Sequence, residues 1–221
     1  EYTQNQVLLM AVADLNRDGK DDLVFTDFQG SVYILDGKIN LIDTINFRTL
    51  NGNSIQQNIN FGDSIVVGDF NGDGRQDLAI TADGYDKTPD GDEGAIFIYL
   101  NSFGGLSSTP DITIQGDAPS DEIGWYGIVN LGDINNDGRD DLGFGDDDFI
   151  SYIFWGKSVF NPIYDISTES ENSVNFSGLD TNTILGFYMS DVVPIGDING
   201  DGFDDLAIST SEKIIVLYGM Q

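Results

Sequence analysis

The sequence contains no cysteine and no histidine. The chain therefore has no disulfide or thiol chemistry, and it lacks the commonest general base and the commonest transition-metal ligand. Lysine and arginine together number 9 against 38 aspartates and glutamates, which gives a net charge of −29. Nucleic acid and anionic membrane surfaces would repel such a chain. No apolar run approaches the roughly 18 residues that a membrane span requires, so direct membrane insertion is not expected.

The residues that are present indicate a folded protein. Hydrophobic residues make up 40% of the 221 positions, and the chain has 14 Phe and 9 Tyr, which a disordered acidic tail would lack. The length suits one large all-β domain or two small domains.

A nine-residue pattern, Asp-x-Asn-x-Asp-Gly-x-x-Asp followed by leucine, occurs four times. The copies begin at Asp14, Asp69, Asp133 and Asp197, so the spacings are 55, 64 and 64 residues. This regularity identifies an internal repeat, in which each copy marks one structural unit.

Each unit is predicted to contain short antiparallel strands around its acidic loop. One strand enters the loop, a second leaves it with alternating large and small residues, and a third follows. Fourth strands are predicted at 40–47, 110–116 and 161–167, and residues 1–5 could supply the fourth of the last unit by ring closure. Four-stranded antiparallel units predict an all-β fold, a β-propeller. The blades are expected at about 6–47, 61–116, 123–167 and 185–219, within a single domain or fragment spanning 1–221.

The repeated loop has the composition of a site for a hard cation. Oxygen-bearing side chains at positions 1, 3, 5 and 9, with a carbonyl at position 7, provide the ligands that Ca²⁺ prefers, and glycine at position 6 permits a sharp turn. A flexible cage of this kind suits calcium better than magnesium. The predicted ligands of the four Ca²⁺ sites are Asp14, Asn16, Asp18, Lys20 (carbonyl) and Asp22; Asp69, Asn71, Asp73, Arg75 (carbonyl) and Asp77; Asp133, Asn135, Asp137, Arg139 (carbonyl) and Asp141; Asp197, Asn199, Asp201, Phe203 (carbonyl) and Asp205.

Of two other interpretations of the loop, the EF-hand is rejected and the metal-free turn is disfavoured. An EF-hand shares ligands at positions 1, 3, 5 and 7 but needs a bidentate glutamate at position 12. Position 12 here is Phe25, Ile80, Phe144 or Ile208. A plain Asn/Asp/Gly turn without metal would explain one copy but not four copies that all carry aspartate at position 9.

These loops resemble those of the FG-GAP repeats in the integrin α-subunit propeller. Phe61-Gly62 matches the Phe-Gly element that gives the family its name, and Ile123-Gly124 and Leu185-Gly186 match it more loosely. The Gly-Ala-Pro element is replaced. The resemblance covers nearly the whole chain, and it implies the propeller fold and calcium loops between the first two strands of each blade. Integrin propellers have seven blades, so the chain is expected to be a fragment of a longer one, a four-bladed ring, or an arc completed by another copy; the fragment is favoured.

The same resemblance implies ligand binding on the face opposite the calcium loops. That face would carry the segments 83–94, 47–61, 116–124 and 168–184. Tyr85 is expected to be exposed there, whereas Trp125 and Tyr126 are expected to pack between blades. The leading hypothesis is a calcium-stabilised extracellular or cell-surface adhesion module with a protein or glycan ligand. The triplet Asn175-Phe176-Ser177 is compatible with glycosylation.

Two other functions are carried as alternatives. The first is a structural repeat array in a surface assembly. The second is a propeller lectin or polysaccharide-active enzyme, which as an enzyme would need a base outside the metal loops. Candidate bases are Asp90, Asp92, Glu93, Asp146 and Asp147, but their spacing does not distinguish them from a solvated acidic rim. The chain is therefore expected not to be an enzyme.

Overall fold

The computed structural model describes residues 10–27, 30–37, 47–57, 59–89, 91–147, 151–166, 173–175, 192–209 and 214–219. These residues form β-strands joined by turns, as the period-two pattern predicts. In the described ranges the one helix is the 3-10 turn Gly52–Ser54, and no helix there is long and apolar enough to cross a membrane.

The first sheet has four antiparallel strands in sequential order. They are β1 (Met10–Ala13), β2 (Asp22–Thr26), β3 (Ser31–Leu35) and β4 (Arg48–Asn51). The predicted strand at 40–47 lies outside the described residues except for Phe47, and β4 begins one residue later, beyond the expected end of this unit. In β4 the side chain of Leu50 is buried opposite Val32. A single inward apolar residue is too short a pattern to locate this strand from the sequence.

The second sheet contains five strands. They are β5 (Ile65–Gly68), β6 (Asp77–Ala82), β7 (Ala95–Tyr99), β10 (Ile112–Gln115) and β14 (Ile163–Asp165). The small hairpin β8 (Asn101–Ser102) and β9 (Gly105–Leu106) lies between β7 and β10. All pairs in the five-stranded sheet are antiparallel except β10 with β14, which are parallel.

The position of β14 corrects the prediction for 161–167. That segment was expected to be the outer strand of the third unit, but β14 pairs with the edge of the second sheet instead. Tyr164 anchors it: the ring is 2% exposed and meets Phe154 edge-on at 4.9 Å between centroids. By pairing with β10, β14 covers a sheet edge that would otherwise present unpaired N–H and C=O groups.

The third and fourth sheets repeat the pattern. The third consists of β11 (Ile128–Gly132), β12 (Asp141–Gly145), β13 (Ser151–Phe154) and β15 (Ser173–Asn175); the described part of the fourth consists of β16 (Val192–Gly196), β17 (Asp205–Ser209) and β18 (Ile214–Leu217). All of their pairs are antiparallel. The outer strand of the third sheet is therefore β15, whereas the sequence analysis expected that strand at 161–167.

The sheets pack face to face in chain order. In the second strand of every sheet, positions 10 and 12 of the repeat point to one face and position 11 points to the other. Between the first two sheets, the position-11 side of the first sheet (Val24, Ile34) packs against the position-10/12 side of the second (Leu78, Ile80). The same alternation builds the apolar clusters between the second and third sheets and between the third and fourth. The predicted burial of the second strand on both sides is therefore confirmed in the second and third sheets, where β6 and β12 are buried throughout, whereas Leu23 and Phe25 of β2 are only half-buried. The stack of sheets is consistent with a propeller.

Candidate metal-binding loops

The four acidic loops occupy equivalent places in the fold. Each connects the first strand of a sheet to the second: β1 to β2, β5 to β6, β11 to β12 and β16 to β17. The first strands of consecutive sheets are neighbours, so the loops follow one another along one side of the stack. The sequence prediction placed the loops correctly.

Side-chain oxygens at positions 1 and 3 fold each loop around its own backbone. The position-1 carboxylate accepts hydrogen bonds from the N–H groups of positions 5 and 6, at 2.7–3.1 Å in all four loops. The position-3 amide oxygen accepts a second bond from the position-5 N–H at 2.8–3.0 Å. Aspartate and asparagine are therefore required for the turn itself, because they satisfy backbone donors that no strand partner reaches.

Two positions in each loop adopt left-handed backbone conformations. The predicted positive φ at the position-6 glycine is confirmed, with values from 79° to 94°. Position 4 also has a positive φ, between 54° and 79°, although it is glycine in only two loops. In the first loop this residue is Arg17 and in the third Asn136, and a side chain there costs conformational energy. The sequence analysis missed this second left-handed position because position 4 is glycine in only two of the four loops.

The position-9 aspartate ties the loop to the far end of the third strand. One carboxylate oxygen accepts the N–H of the second residue after that strand, at 2.7–3.0 Å, in every sheet. The donors are Gly37, Asn101, Gly156 and Gly219. In the first, third and fourth loops the other oxygen accepts the N–H of position 2. Position 9 is buried in all four loops, at 0–1% exposure.

The partner glycines carry a signal that the sequence analysis overlooked. A Cβ atom at Gly37, Gly156 or Gly219 would lie 2.3–2.5 Å from the carbonyl oxygen at position 8 of the loop. Glycine is therefore required at these three positions by close backbone approach. Its recurrence 14 or 15 residues after position 9 could have revealed the tie.

Burial makes the position-9 carboxylates electrostatically unusual. Burial raises the pKa of Asp77 and of Asp141 to about 7, and the negative charges at positions 1 and 5 of the same loop push in the same direction. Burial also raises the pKa of Asp22. The Oδ2 atom of Asp77 is buried without a hydrogen-bond donor. An ionised carboxylate in this environment lacks compensation that a divalent cation would supply.

The oxygen-bearing residues of the loops suit a hard cation, but their side chains do not converge on a common point in this structure. Three carboxylates, one amide oxygen and one carbonyl in each loop form an all-oxygen donor set of the kind that Ca²⁺ takes. Among the described residues, however, no three acidic side chains converge in a metal-binding group. The oxygens at positions 1 and 3 are instead directed at loop N–H groups. The calcium ligands therefore remain a prediction.

Basic side chains at position 7 partly balance the charge of three loops. Lys20 lies 2.8 Å from Asp18, and the same pairing brings Arg75 within 3.9 Å of its position-5 aspartate and Arg139 within 3.2 Å of its own. The hydrogen bond from Lys20 lowers the pKa of Asp18. Position 7 of the fourth loop is Phe203, so this loop has no such cation. These exposed pairs contribute little to stability.

The opposite ends of the strands carry the segments predicted for recognition. Tyr85 was expected to be exposed, but it is half-buried and packs edge-on against Phe97 at 5.5 Å. Trp125 was expected to pack between blades, but it is 51% exposed. Tyr126 is half-buried. The two aromatic residues lie in different surroundings. Tyr85, near the start of the 83–94 segment, packs against the core, whereas Trp125, in the turn that precedes β11, is half exposed. Segment 168–184 lies outside the described residues except for 173–175, where Asn175 is described as backbone only.

The acidic residues considered as catalytic bases are distributed between structure and solvent. Glu93 is 1% exposed and accepts hydrogen bonds from the backbone N–H and hydroxyl of Thr88. Asp146 is buried and accepts the hydroxyl of Tyr152 at 2.7 Å. Asp92 and Asp147 are exposed, and Asp90 lies outside the described residues. The buried members of this set therefore hold loops in place.

The Phe-Gly pair closes the gap between the first two sheets. Phe61 is 1% exposed, and a Cβ atom at Gly62 would approach Val32 and Thr26 of the first sheet to 3.1 and 3.3 Å. Gly62 also has a φ of 94°. The Ile123-Gly124 pair repeats this arrangement one sheet later, with φ 91° at Gly124. Leu185-Gly186 lies outside the described residues.

Comparison with known sequences identifies the repeat. The sequence model of the FG-GAP repeat matches residues 61–99, which span the Phe-Gly pair, the second acidic loop and strands β5 to β7. The chain is an FG-GAP repeat protein. It is 34% identical over 153 residues to phosphatidylinositol-glycan-specific phospholipase D from Homo sapiens, which covers 62% of this chain and 18% of that protein.

Integrin α subunits give a comparable similarity. The chain is 30% identical over 158 residues to integrin alpha-6 from Gallus gallus, covering 71% of this chain and 14% of that protein. It is 32% identical over 166 residues to integrin alpha-4 from Xenopus laevis, covering 71% and 15%. The FG-GAP repeat protein thus spans less than a fifth of the length of these relatives, and the likeness concerns that part of each.

Proposed function

We propose that this FG-GAP repeat protein is a calcium-stabilised extracellular recognition or adhesion module. The observation that carries the proposal is the common frame of the four loops. Each carries oxygen-bearing groups at positions 1, 3, 5, 7 and 9, and in each the position-9 carboxylate is buried and accepts the backbone N–H of a residue beyond the third strand. Ca²⁺ bound to these oxygens would neutralise the most crowded charges and fix the first two strands of every sheet to the end of the third.

Calcium bound to the position-9 carboxylate would make each sheet more rigid. In three of the four loops the position-9 aspartate accepts hydrogen bonds from two separate segments of its sheet, so an ion at the same carboxylate would order both segments together. Extracellular modules of this general kind bind calcium at about 10⁻⁴–10⁻³ M. Such affinities require the calcium concentration found outside cells. The cell-surface nature of integrin α subunits, to which the chain is similar, supports the same location.

The ligand would be a protein or glycan bound on the side away from the calcium loops. Each acidic loop precedes the second strand of its sheet, so segments that precede the first strand lie at the other end. Trp125 is such a residue: it lies three positions before β11 and is 51% exposed. An exposed indole supplies a flat apolar surface with one N–H donor, which suits sugar stacking or an anchor in a protein interface.

We further propose that the module is not itself an enzyme. The chain has neither histidine nor cysteine, and the buried acidic candidates Glu93 and Asp146 are occupied by structural hydrogen bonds. The similarity to a phospholipase D covers 18% of that protein. A purely structural array in a surface assembly is the alternative that the experiment must separate from recognition.

Binding of the purified chain to a glycan and matrix-protein array tests this proposal. The array is probed with calcium, with a chelator, and with the variant Trp125→Ala. Phe103→Ala is the matched control, because Phe103 is a 98% exposed aromatic residue on the calcium-loop side, where Arg75 lies 4.1 Å above its ring. We expect a signal that requires calcium, is lost in the Trp125 variant and survives in the control. Silence on every spot would favour the structural array, and equal loss in both variants would contradict the assigned face.

A further inference from the structure

The chain contains three Asn-Gly pairs, and the fold places them in different surroundings. They are Asn51-Gly52 at the end of β4, Asn71-Gly72 in the second acidic loop and Asn199-Gly200 in the fourth. Such a pair is chemically reactive, because glycine has no Cβ atom to keep its backbone nitrogen away from the amide carbon of the preceding side chain. The nitrogen can attack that carbon and expel ammonia, so the surroundings of each pair decide whether it reacts.

The fold prevents the first pair from reacting. The N–H of Gly52 donates a hydrogen bond to the carbonyl of Gly30 at 3.0 Å, next to the pairing of β3 with β4. Gly52 is buried, and a Cβ atom at this residue would collide with the side chain of Phe61. The nitrogen of Gly52 therefore has neither the freedom nor the space to approach the side chain of Asn51.

The pair in the fourth loop is open to solvent, and its amide is held by two hydrogen bonds. The Oδ1 atom of Asn199 accepts the backbone N–H of Asp201 at 2.8 Å, and its Nδ2 atom donates to the Asp201 carboxylate at 2.9 Å. A donor at this distance stabilises the negative charge that develops on a carbonyl oxygen when its carbon is attacked. Gly200 is exposed at a φ of 79°, and apart from its chain neighbours no heavy atom of the described chain lies within 4 Å of the place where a Cβ would be. A cyclic product therefore has room to form.

A carboxylate contacts the nitrogen that would attack. The Oδ1 atom of Asp197 accepts the N–H of Gly200 at 2.6 Å. This distance lies within the hydrogen-bond reach from which a general base removes a proton. The fourth loop therefore holds an electrophilic carbon, a nucleophilic nitrogen and a base in one turn, and such proximity accelerates a reaction between the groups.

The second pair shares the amide contact but lacks the base. The Oδ1 atom of Asn71 accepts the N–H of Asp73 at 2.9 Å, as the equivalent amide does in the fourth loop. The carboxylate of Asp69 accepts the N–H groups of positions 5 and 6, but in the described part of the chain no carboxylate accepts the N–H of Gly72. The second loop is therefore an internal control for the base.

We propose that Asn199-Gly200 is a site of self-modification, with Asp197 as its general base. The nitrogen of Gly200 forms a bond to Cγ of Asn199 while its proton passes to Asp197. The bond between Cγ and Nδ2 of Asn199 then breaks, and the proton returns from Asp197 to the departing NH₂ group, which leaves as ammonia. The product is a succinimide ring, and water opens this ring at either of its carbonyls to give aspartate or isoaspartate.

The modification changes both the charge and the backbone of the fourth loop. Either product adds a negative charge at position 3, beside the carboxylates of positions 1 and 5. Aspartate keeps an oxygen at the place that the calcium proposal assigns to Asn199, whereas isoaspartate adds a carbon atom to the backbone between positions 3 and 4 and displaces the turn. The reaction itself needs no cation, so it is independent of whether the loops bind calcium.

Peptide mapping by mass spectrometry, during incubation of the cation-free chain at neutral pH, tests the proposal. The references are synthetic peptides of residues 194–204 and 66–76, in which the same Asn-Gly pairs are free of the fold. We expect Asn199 to be converted at least about tenfold faster in the folded chain than in its peptide, because a positioned base accelerates proton transfer. Asn71 should react no faster in the chain than in its peptide, and Asn51 should stay unmodified. Conversion of Asn199 that is no faster in the chain than in the peptide would overturn the proposal, and so would an equal acceleration at Asn71.

The variant Asp197→Asn tests the assigned base. Its amide oxygen can still accept loop N–H groups, but the carboxylate that takes the proton is gone. We expect the conversion of Asn199 to fall to the rate of the peptide, while Asn71 in the same molecules keeps its rate. Hydrogen exchange of the backbone N–H groups at positions 5 and 6 checks that the fourth loop keeps its structure in the variant. An unchanged rate at Asn199 in the variant would overturn the role of Asp197.

Discussion

A buried carboxylate outside the metal loops gives a clean test of the electrostatics. Asp83 follows β6 and is 4% exposed, and its Oδ1 atom has no hydrogen-bond donor. Burial raises the pKa of Asp83 to about 6, and the charges of Asp63 and Glu122 contribute in the same direction. Because the folded-state pKa lies above the ordinary value of 3.8, the fold favours the protonated acid.

This shift sets both the sign and the size of the pH effect. The contribution of Asp83 to stability is fully present below about pH 4 and is lost as pH rises to about 6. Two pKa units correspond to roughly 3 kcal/mol in the free energy of unfolding. Asp83→Asn keeps the shape of the side chain without the charge. We therefore expect the variant to match the unaltered chain near pH 4 and to be more stable by up to about 3 kcal/mol above pH 7.

Urea unfolding at a series of pH values measures this difference. The protein is freed of divalent cations first, so that the proposed calcium sites do not contribute. Comparing the variant with the unaltered chain at each pH cancels the titration of the other carboxylates. Asp147→Asn is the control, because Asp147 is exposed and should change stability by less than about 0.5 kcal/mol at every pH. A difference between Asp83→Asn and the unaltered chain that does not vary from pH 4 to 8 would refute the reasoning.

Four further substitutions test the packing and the loops. Asp141→Ala leaves two buried N–H groups without an acceptor and should lower the free energy of unfolding by about 2–4 kcal/mol; a neutral result in chemical denaturation would remove the proposed tie to the third strand. Arg17→Gly removes the backbone strain of a side chain in the left-handed conformation at position 4. It should raise the free energy of unfolding by up to about 1 kcal/mol and raise the melting temperature; a lower melting temperature would show that Arg17 is not strained. Phe70→Ala should cost about 3–5 kcal/mol, whereas Ile198→Ala at the same loop position should cost under about 0.5; equal costs would mean that the fourth loop is covered.

The sequence was sufficient for the parts of the fold that repeat. Aspartate, asparagine and glycine at fixed loop positions locate the turn between the first and second strands, because each residue type satisfies a particular backbone requirement there. The alternation of large and small residues in the second strand, such as Leu78, Ala79 and Ile80, predicted its burial on both faces. These are local rules, and the four copies reinforce one another.

The parts that the sequence did not predict depend on contacts between distant segments. Strand β14 has the composition of an outer strand but pairs with β10, because Tyr164 finds a buried aromatic site next to the second sheet. Local pattern cannot choose between two available sheet edges. Tyr85 and Trp125 were assigned opposite exposures to those observed, since the direction of a turn decides whether an aromatic residue covers the core or projects from it.

The sequence located the acidic loops but did not predict their internal hydrogen bonds. The candidate ligands could be named from spacing, and the structure places them together in one loop per sheet. The hydrogen bond that the position-9 carboxylate accepts from the second residue after the third strand could not be predicted from the loop alone, because its donor lies 14 to 24 residues away. Asp140 and Asp204, at position 8, each accept the backbone N–H of position 1 in the preceding loop, 71 residues away. These bonds reflect the stacking of one sheet on the next.

Calcium stoichiometry tests the central claim most directly. Equilibrium dialysis of the cation-free chain against millimolar calcium counts the bound ions without reference to any ligand or activity. The four loops predict four calcium ions per chain, and Asp73→Ala should bind three, because loops on separate sheets act nearly independently. The absence of bound calcium, or an unchanged count in the Asp73 variant, would contradict the assignment of these loops as metal sites.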